Sequence, residues 1–205
     1  MREAEEYGVN VIIDAHHDLY SKKFCGEGFP SWAATASTFP APLKVKLRYD
    51  EEGNPLKNDC MQIHFATYYT TYDVVNFSHD FFLNRKGIND KFIEMWRRVM
   101  EFFRDESNVI GYDILNEPTG GDLWKNPYSL IGPDQTNNRL LLPFYRKLSR
   151  ELRAVEPNKL FMFEPFPLDM IGGFNGPFSN YSTLDLLDYH VYCPWMKKHG
   201  SARCR

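Results

Sequence analysis

The chain has 205 residues, 43% of them hydrophobic and 25% charged, enough for one domain with a sizeable core, which excludes a disordered or collagen-like chain. A formal net charge of -3 gives no reason to expect a phosphate backbone or an anionic membrane surface as partner, so nucleic acid is set aside. No apolar run approaches the ~20 residues of a membrane span, and Met1 is followed by Arg2, Glu3, Glu5 and Glu6, so neither a spanning helix nor a signal peptide is expected.

In chain order, Glu3 to Tyr7 reads as the end of a helix, stopped at Gly8. Val9-Asn10-Val11-Ile12-Ile13 follows as an apolar strand of the kind buried on both faces of a parallel sheet. His16-His17-Asp18 leaves that strand. The stretch from Leu19 to about Asp59 is too long for an ordinary strand-to-helix loop, and its Gly26-Glu27-Gly28-Phe29-Pro30-Ser31-Trp32 segment suits the wall of a substrate cleft. Cys25 and Cys60 flank a polar stretch where a disulfide would pin this loop. Met61 to Leu83 reads as helical, and its aromatic residues, among them Tyr68, Tyr69 and Phe81, are expected mainly to pack.

Phe92, Trp96, Val99, Met100 and Phe103 then stand at helical spacing. Asn108 breaks that helix, and Val109 to Leu115 reads as a strand ending in Asn116-Glu117-Pro118. Leu141, Phe144, Leu148, Leu152 and Val155 mark a further helix, stopped by Pro157, and Lys159 to Phe163 a strand ending in Glu164-Pro165. A last strand spans Leu184 to His190 and leads into His190-Val191-Tyr192. Strands alternating with helices make a βα repeat and a parallel sheet, so a site belongs at the strands' C-terminal ends, in a barrel and in an open doubly wound sheet alike.

Those ends carry side chains capable of chemistry. A carboxyl beside an amide, as in Asn116-Glu117, meets two needs of glycoside cleavage: a proton for the leaving oxygen and a hydrogen bond to the sugar 2-hydroxyl. The bland alternative is a solvated loop carboxylate beside a turn asparagine. His16-His17-Asp18 also admits a zinc or iron reading. Adjacent residues leaving a strand point opposite ways, so His16 and Asp18 share a face without His17, and no His-x-x-x-His or Cys-x-x-Cys completes a ligand set. The expectation is no metal and no cofactor.

Taken together, these strand ends resemble glycoside hydrolase family 5. Asn116-Glu117-Pro118 is similar to its acid/base motif after the fourth barrel strand, and His190-Val191-Tyr192 to its His-x-Tyr after the sixth. Ile13-Asp14-Ala15-His16-His17-Asp18 followed by Gly26-Glu27-Gly28-Phe29-Pro30-Ser31-Trp32-Ala33 most resembles the endoglycoceramidases, which cut oligosaccharide from ceramide. The resemblance implies an α/β fold, a partial (β/α)8 TIM barrel covering about strands 3 to 6 over residues 1–195. It implies Glu117 as acid/base, Asn116 as the 2-hydroxyl partner, and His16, Asp18, Trp32 and Glu164 as substrate contacts. It also implies Tyr192 as the group that holds the nucleophile's carboxylate, with His190 beside it. His17 stands where many relatives carry an amide.

The family's nucleophile follows the seventh strand, so it is expected beyond residue 205, and the basic tail 196–205 resembles nothing in the barrel; a truncated form is the expectation. Glu164 as a second catalytic carboxylate ranks below Glu164 as a cleft residue or a backbone-amide acceptor. The implied substrate is a glycosphingolipid or another β-linked glycan, with a membrane met only through the lipid. Family 5 β-glucanases, mannanases and glucosylceramidases are the alternatives, with an inactive sugar- or lipid-binding fragment from another class. The acceptor triplets Asn76-Phe77-Ser78 and Asn180-Tyr181-Ser182, with the cysteine pair, lean toward a secreted or lysosomal parent.

Overall fold

The computed structural model describes residues 2–35, 46–121, 123–127, 136–167 and 183–190. Its sheet holds β1 (Val11–Asp14), β2 (Val109–Asp113), β3 (Leu160–Phe163) and β4 (Asp185–Leu187), all parallel and side by side in the order β1-β2-β3-β4. A doubly wound sheet reverses its strand order at a switch point, whereas a barrel adds each strand beside the last, so this order is that of a barrel arc. The expectation of a partial barrel holds. Tyr192, Asn180 and the tail lie outside the described residues.

The register fixes what each face carries. Tyr112 pairs with Phe161 and Asp113 with Met162, while Phe161 pairs with Asp185 and Met162 with Leu186. Paired residues of neighbouring parallel strands share a face and faces alternate along a strand, so Tyr112, Phe161 and Phe163 point to the helices. Ile12, Asp14, Asp113, Met162 and Leu186 point to the other, concave face. Extending the alternation puts Glu164 and Asp188 there as well.

Helices α3 (Tyr72–Phe82), α4 (Ile88–Phe102) and α5 (Leu142–Arg153) cover the outer face, and short α1 (Arg2–Glu6) and α2 (Lys57–Cys60) add little burial. On α4 the stripe Ile88, Phe92, Trp96 and Met100 is buried at four-residue spacing. Buried Trp96 gives its indole N–H to the Ile114 carbonyl at 3.0 Å, so no polar group is lost to the core. On α5, Phe144, Tyr145, Leu148 and Leu152 are buried, with Pro143 tolerated in the first turn. Arg153 reaches β4, pairing with the buried Asp185 carboxylate at 2.6 Å and stacking 3.6 Å above the Phe161 ring.

The stretch Met61 to Leu83 is less helical than its sequence implies. Phe65–Thr70 is a 3₁₀ turn and the α-helix begins only at Tyr72. Thr70 and Thr71 hydroxyls donate to the Thr67 and Tyr68 carbonyls, and Thr71 is extended, so these residues cap one turn and start another. The long loop is tied by the Cys25–Cys60 disulfide and by Arg48, which pairs with Asp59 at 2.7 Å. Asn76 lies half-buried within α3 and the Ser78 hydroxyl is fully buried, so this acceptor triplet occupies a helix, not an open loop.

Candidate active site

Asn116 and Glu117 leave β2 just past the sheet. Asn116 is buried and its amide donates to the His17 carbonyl at 3.2 Å, fastening the end of β2 to the end of β1. Glu117 has a positive φ of 38°, a left-handed conformation costing an L residue roughly 1–2 kcal/mol, and such strain persists only where neighbours fix it. Its backbone N–H donates to Glu164 Oε2 at 2.8 Å. Its carboxylate Oε1 lies 2.7 Å from His190 Nδ1, and the far nitrogen of that ring is 3.6 Å from Glu164 Oε1, beyond a hydrogen bond but within ion-pair reach. The strand ends of β2, β3 and β4 thus meet at one point.

Electrostatics there are set by crowded acids. Burial drives Glu164 up to about 7, outweighing the bond from the Glu117 N–H and the nearby His190 cation, and the charges of Asp188 and Glu117 add to the rise. Asp113 rises to about 7 for the same first reason, burial, and then through Glu164, Asp14 and Asp188. His190 is raised by its hydrogen bond to Glu117, against the opposing effect of burial, with help from Glu164, Glu117 and Asp188. Asp113, Glu164 and Asp188 each offer an oxygen within 4.8 Å of the others, a grouping open to a metal by spacing. Glu164 Oε2 is committed to the Glu117 amide, whereas Asp113 Oδ1 and Glu164 Oε1 are buried without a hydrogen-bond partner.

A second wing follows β1. His16 Nδ1 contacts Asp14 Oδ2 at 2.8 Å and its Nε2 is 3.7 Å from Asp18 Oδ2, so His16 and Asp18 share a face as the strand alternation requires. Burial lowers the His16 pKa, but the Asp14 hydrogen bond and the charges of Asp14, Asp18 and Glu27 leave it raised. Tyr69 donates to Asp18 Oδ1 at 2.9 Å. His17 turns the other way: it is buried, stacks on Tyr20 with ring centroids 4.4 Å apart, and has its pKa lowered to about 3 by burial and then by His16. A ring turned away into that packing is no partner for His16 and Asp18 in a shared metal site.

The loop behind them is strained in the same way. Leu19 and Tyr20 are both buried with positive φ, and Tyr20 Oη receives the Thr119 N–H and hydroxyl at 3.1 and 2.8 Å. This fixes the turn that carries Glu117-Pro118. Gly28, at φ 116°, lets the loop pass where a Cβ would come within 2.5 Å of the His17 Cβ. Trp32 is 67% exposed and stands apart from Glu117, lining a cavity of about 300 Å³ with His16, His17, Phe29, Phe92 and Met95.

The structure brings Asn116, Glu117, Glu164 and His190 to neighbouring strand ends, with Glu164, expected as a substrate contact, buried at 2% exposure, and Tyr192 lies outside the described residues. The sequence reading missed Asp14, Asp113, Asp188 and Tyr69. Asp14 and Asp113 had a usable signal, a lone acid closing an apolar strand run; Tyr69 had none, because its role depends on a 3₁₀ turn.

The whole chain, residues 1–205, matches the family described as Cellulase (glycosyl hydrolase family 5). An endoglycoceramidase from Cyanea nozakii is 33% identical over 201 residues, covering 93% of this chain and 39% of its own. Endo-glycoceramidase II from Rhodococcus sp., in its iminocyclitol complex, superposes with a TM-score of 0.67 at 20% identity over 96% of this chain and 42% of that one. The same enzyme in its ganglioside GM3 complex gives 0.63 at 22% identity over 92% of this chain and 41% of that one. The chain therefore spans about two fifths of the length of these relatives, and at such identity the solved structures establish the shared fold.

Proposed function

Because the chain belongs to glycosyl hydrolase family 5, we propose that it carries the acid/base half of a retaining glycosidase that releases oligosaccharide from ceramide. The observation that supports this most is the position of Glu117. It projects at the C-terminal edge of a barrel arc, next to a buried amide and in contact with an imidazole, which is what proton transfer in both directions requires.

In this reading Glu117 is protonated when substrate binds and gives its proton to the departing ceramide oxygen as a second carboxylate attacks the anomeric carbon. It then takes a proton from the water that frees the sugar. The retaining pair needs carboxyls roughly 5 to 5.5 Å apart. Glu164 is a poor nucleophile, since it is buried, bonded to a backbone amide and pushed toward its neutral form. The family resemblance assigns the nucleophile to a later barrel strand. Asn116 has two N–H hydrogens, one toward His17 and one for the sugar 2-hydroxyl. The His16–Asp18 wing and Trp32 serve the substrate side.

Ceramide as aglycone rests on the endoglycoceramidase relative and on the ganglioside GM3 complex of the Rhodococcus enzyme. The membrane enters only through the lipid; among the described residues no helix is long and apolar enough to cross one. The Cys25–Cys60 disulfide supports a secretory or lysosomal compartment. The test gives the full-length barrel, nucleophile included, a ganglioside labelled on its ceramide and identifies the products by mass and anomeric form. Intact oligosaccharide of retained configuration plus labelled ceramide is expected. Glucose released from glucosylceramide alone would assign a glucosylceramidase, and hydrolysis of β-glucan alone would remove ceramide from the account.

A further inference from the structure

Three contacts close a ring through the site: Glu117 N–H to Glu164 Oε2 at 2.8 Å, Glu164 Oε1 to His190 Nε2 at 3.6 Å, and His190 Nδ1 to Glu117 Oε1 at 2.7 Å. The ring starts at the backbone of one residue and returns to its side chain. We propose that Glu164 is the positioning residue of this site, holding the left-handed backbone of Glu117 with one carboxyl oxygen and biasing, through His190, which partner of the Glu117–His190 pair keeps the proton. This rests on the reading of Glu117 as acid/base.

The geometry leaves Glu164 little else to do. Its side chain is 2% exposed, so it offers a substrate almost no surface. Its backbone carbonyl accepts the buried Tyr145 hydroxyl at 2.9 Å, which pins the residue from α5. Glu164 accepts from the Glu117 amide and so fixes that strained φ from the neighbouring strand end.

Coupling to protonation follows from what surrounds the carboxyl. Among the described residues, the charged or titratable groups acting on it are Glu117 from β2, Asp188 and His190 from beyond β4, Asp113 on β2 and Tyr145 on α5. Among these His190 supplies the positive charge. When Glu164 is ionised it holds the imidazolium and so keeps Glu117 ionised. When Glu164 is neutral, the proton between His190 and Glu117 is released to the carboxyl that must donate it. Glu164 rises to about 7 because it is buried, so this bias changes near neutral pH.

The experiment uses the full-length barrel that supplies the nucleophile and compares it with its Glu164→Gln and Glu164→Ala variants, by titrating the His190 ring through nitrogen-edited NMR and, in parallel, by the pH profile of glycoside hydrolysis. Gln keeps an acceptor for the Glu117 N–H but carries no charge. The midpoint of His190 should fall in Glu164→Gln, the high-pH limb should move down with it, and kcat should drop less than about 10-fold. Glu164→Ala, which also frees the amide, should lose about 100-fold in kcat with KM little changed, the cost of a misplaced catalytic group. A His190 midpoint unmoved in Glu164→Gln would overturn the proposal, and that reading needs no turnover. A Glu117→Gln control separates the two ideas. Full activity there sinks the acid/base assignment, whereas a crippled Glu117→Gln beside a native pH profile in Glu164→Gln sinks the positioning role alone.

Discussion

Several side chains here are defined by burial more than by their chemistry in water. His17 is neutral and packed, its pKa lowered to about 3 by burial. A histidine with a folded pKa below its ordinary 6.5 binds fewer protons folded than unfolded, so stability is full above about 6.5 and is lost as pH falls toward 3. His17→Phe should remove that loss, on the order of a few kcal/mol, and flatten the melting temperature between pH 6.5 and 4. A melting curve still falling in that window would mean that other groups dominate acid unfolding. Asp113 runs the opposite way. Its pKa is raised to about 7, so the folded state binds more protons and stability declines as pH rises from about 4 to about 7. Asp113→Asn should therefore gain about 1–3 kcal/mol at pH 7.5 and little at pH 4, read by denaturant unfolding at both. The chemistry of Glu117 and Asn116 was legible because a short motif ended a strand. The state of His17 was not, because it depends on Tyr20 and Phe29 folding over it from a loop with Leu19, Tyr20, Cys25 and Gly28 at positive φ.

Strands and long helices were legible from their periodicity. β2, α4 and α5 fall within a few residues of where apolar spacing puts them, since the buried stripe is itself the signal. The segment before α3 was not, because Thr70 and Thr71 take over carbonyls that an unbroken helix would use, and aromatic content says nothing of that. The paired cysteines were legible as a possibility, and the structure joins them across 35 residues. Closing a loop of that length removes roughly 3–4 kcal/mol of unfolded-chain entropy. Cys25→Ser with Cys60→Ser should lower the unfolding free energy by about that much, and intact mass should rise by about two hydrogens on reduction of the native chain. Equal stability with and without the bond would show that Arg48–Asp59 and the packed aromatic rings alone hold the loop.

At the scale of the molecule, the arc has, among the described residues, two well-covered strands and two edges. Ile12 on β1 is 42% exposed and Leu187 on β4 is 48% exposed, whereas the outer faces of β2 and β3 are sealed by Trp96, Tyr145 and their neighbours. Amides of β2 and β3 should exchange slowest and those of β1 and β4 faster by orders of magnitude, as hydrogen exchange by mass spectrometry will read. The concave face sets half-buried Met162 and exposed Ile12 and Leu186 below a rim of carboxyls, the face that lines a barrel's interior below its polar edge. That rim makes the account turn on one side chain. The most direct measurement is hydrolysis, by Glu117→Gln in the full-length barrel that supplies the nucleophile, of two β-glycosides, one with a poor and one with a good leaving group, with and without azide. The account predicts a loss of about 10²–10⁴-fold on the poor leaving group and partial rescue of the good one by azide with a β-glycosyl azide as product. An unchanged rate on the poor leaving group would contradict it and take Glu117 out of the mechanism.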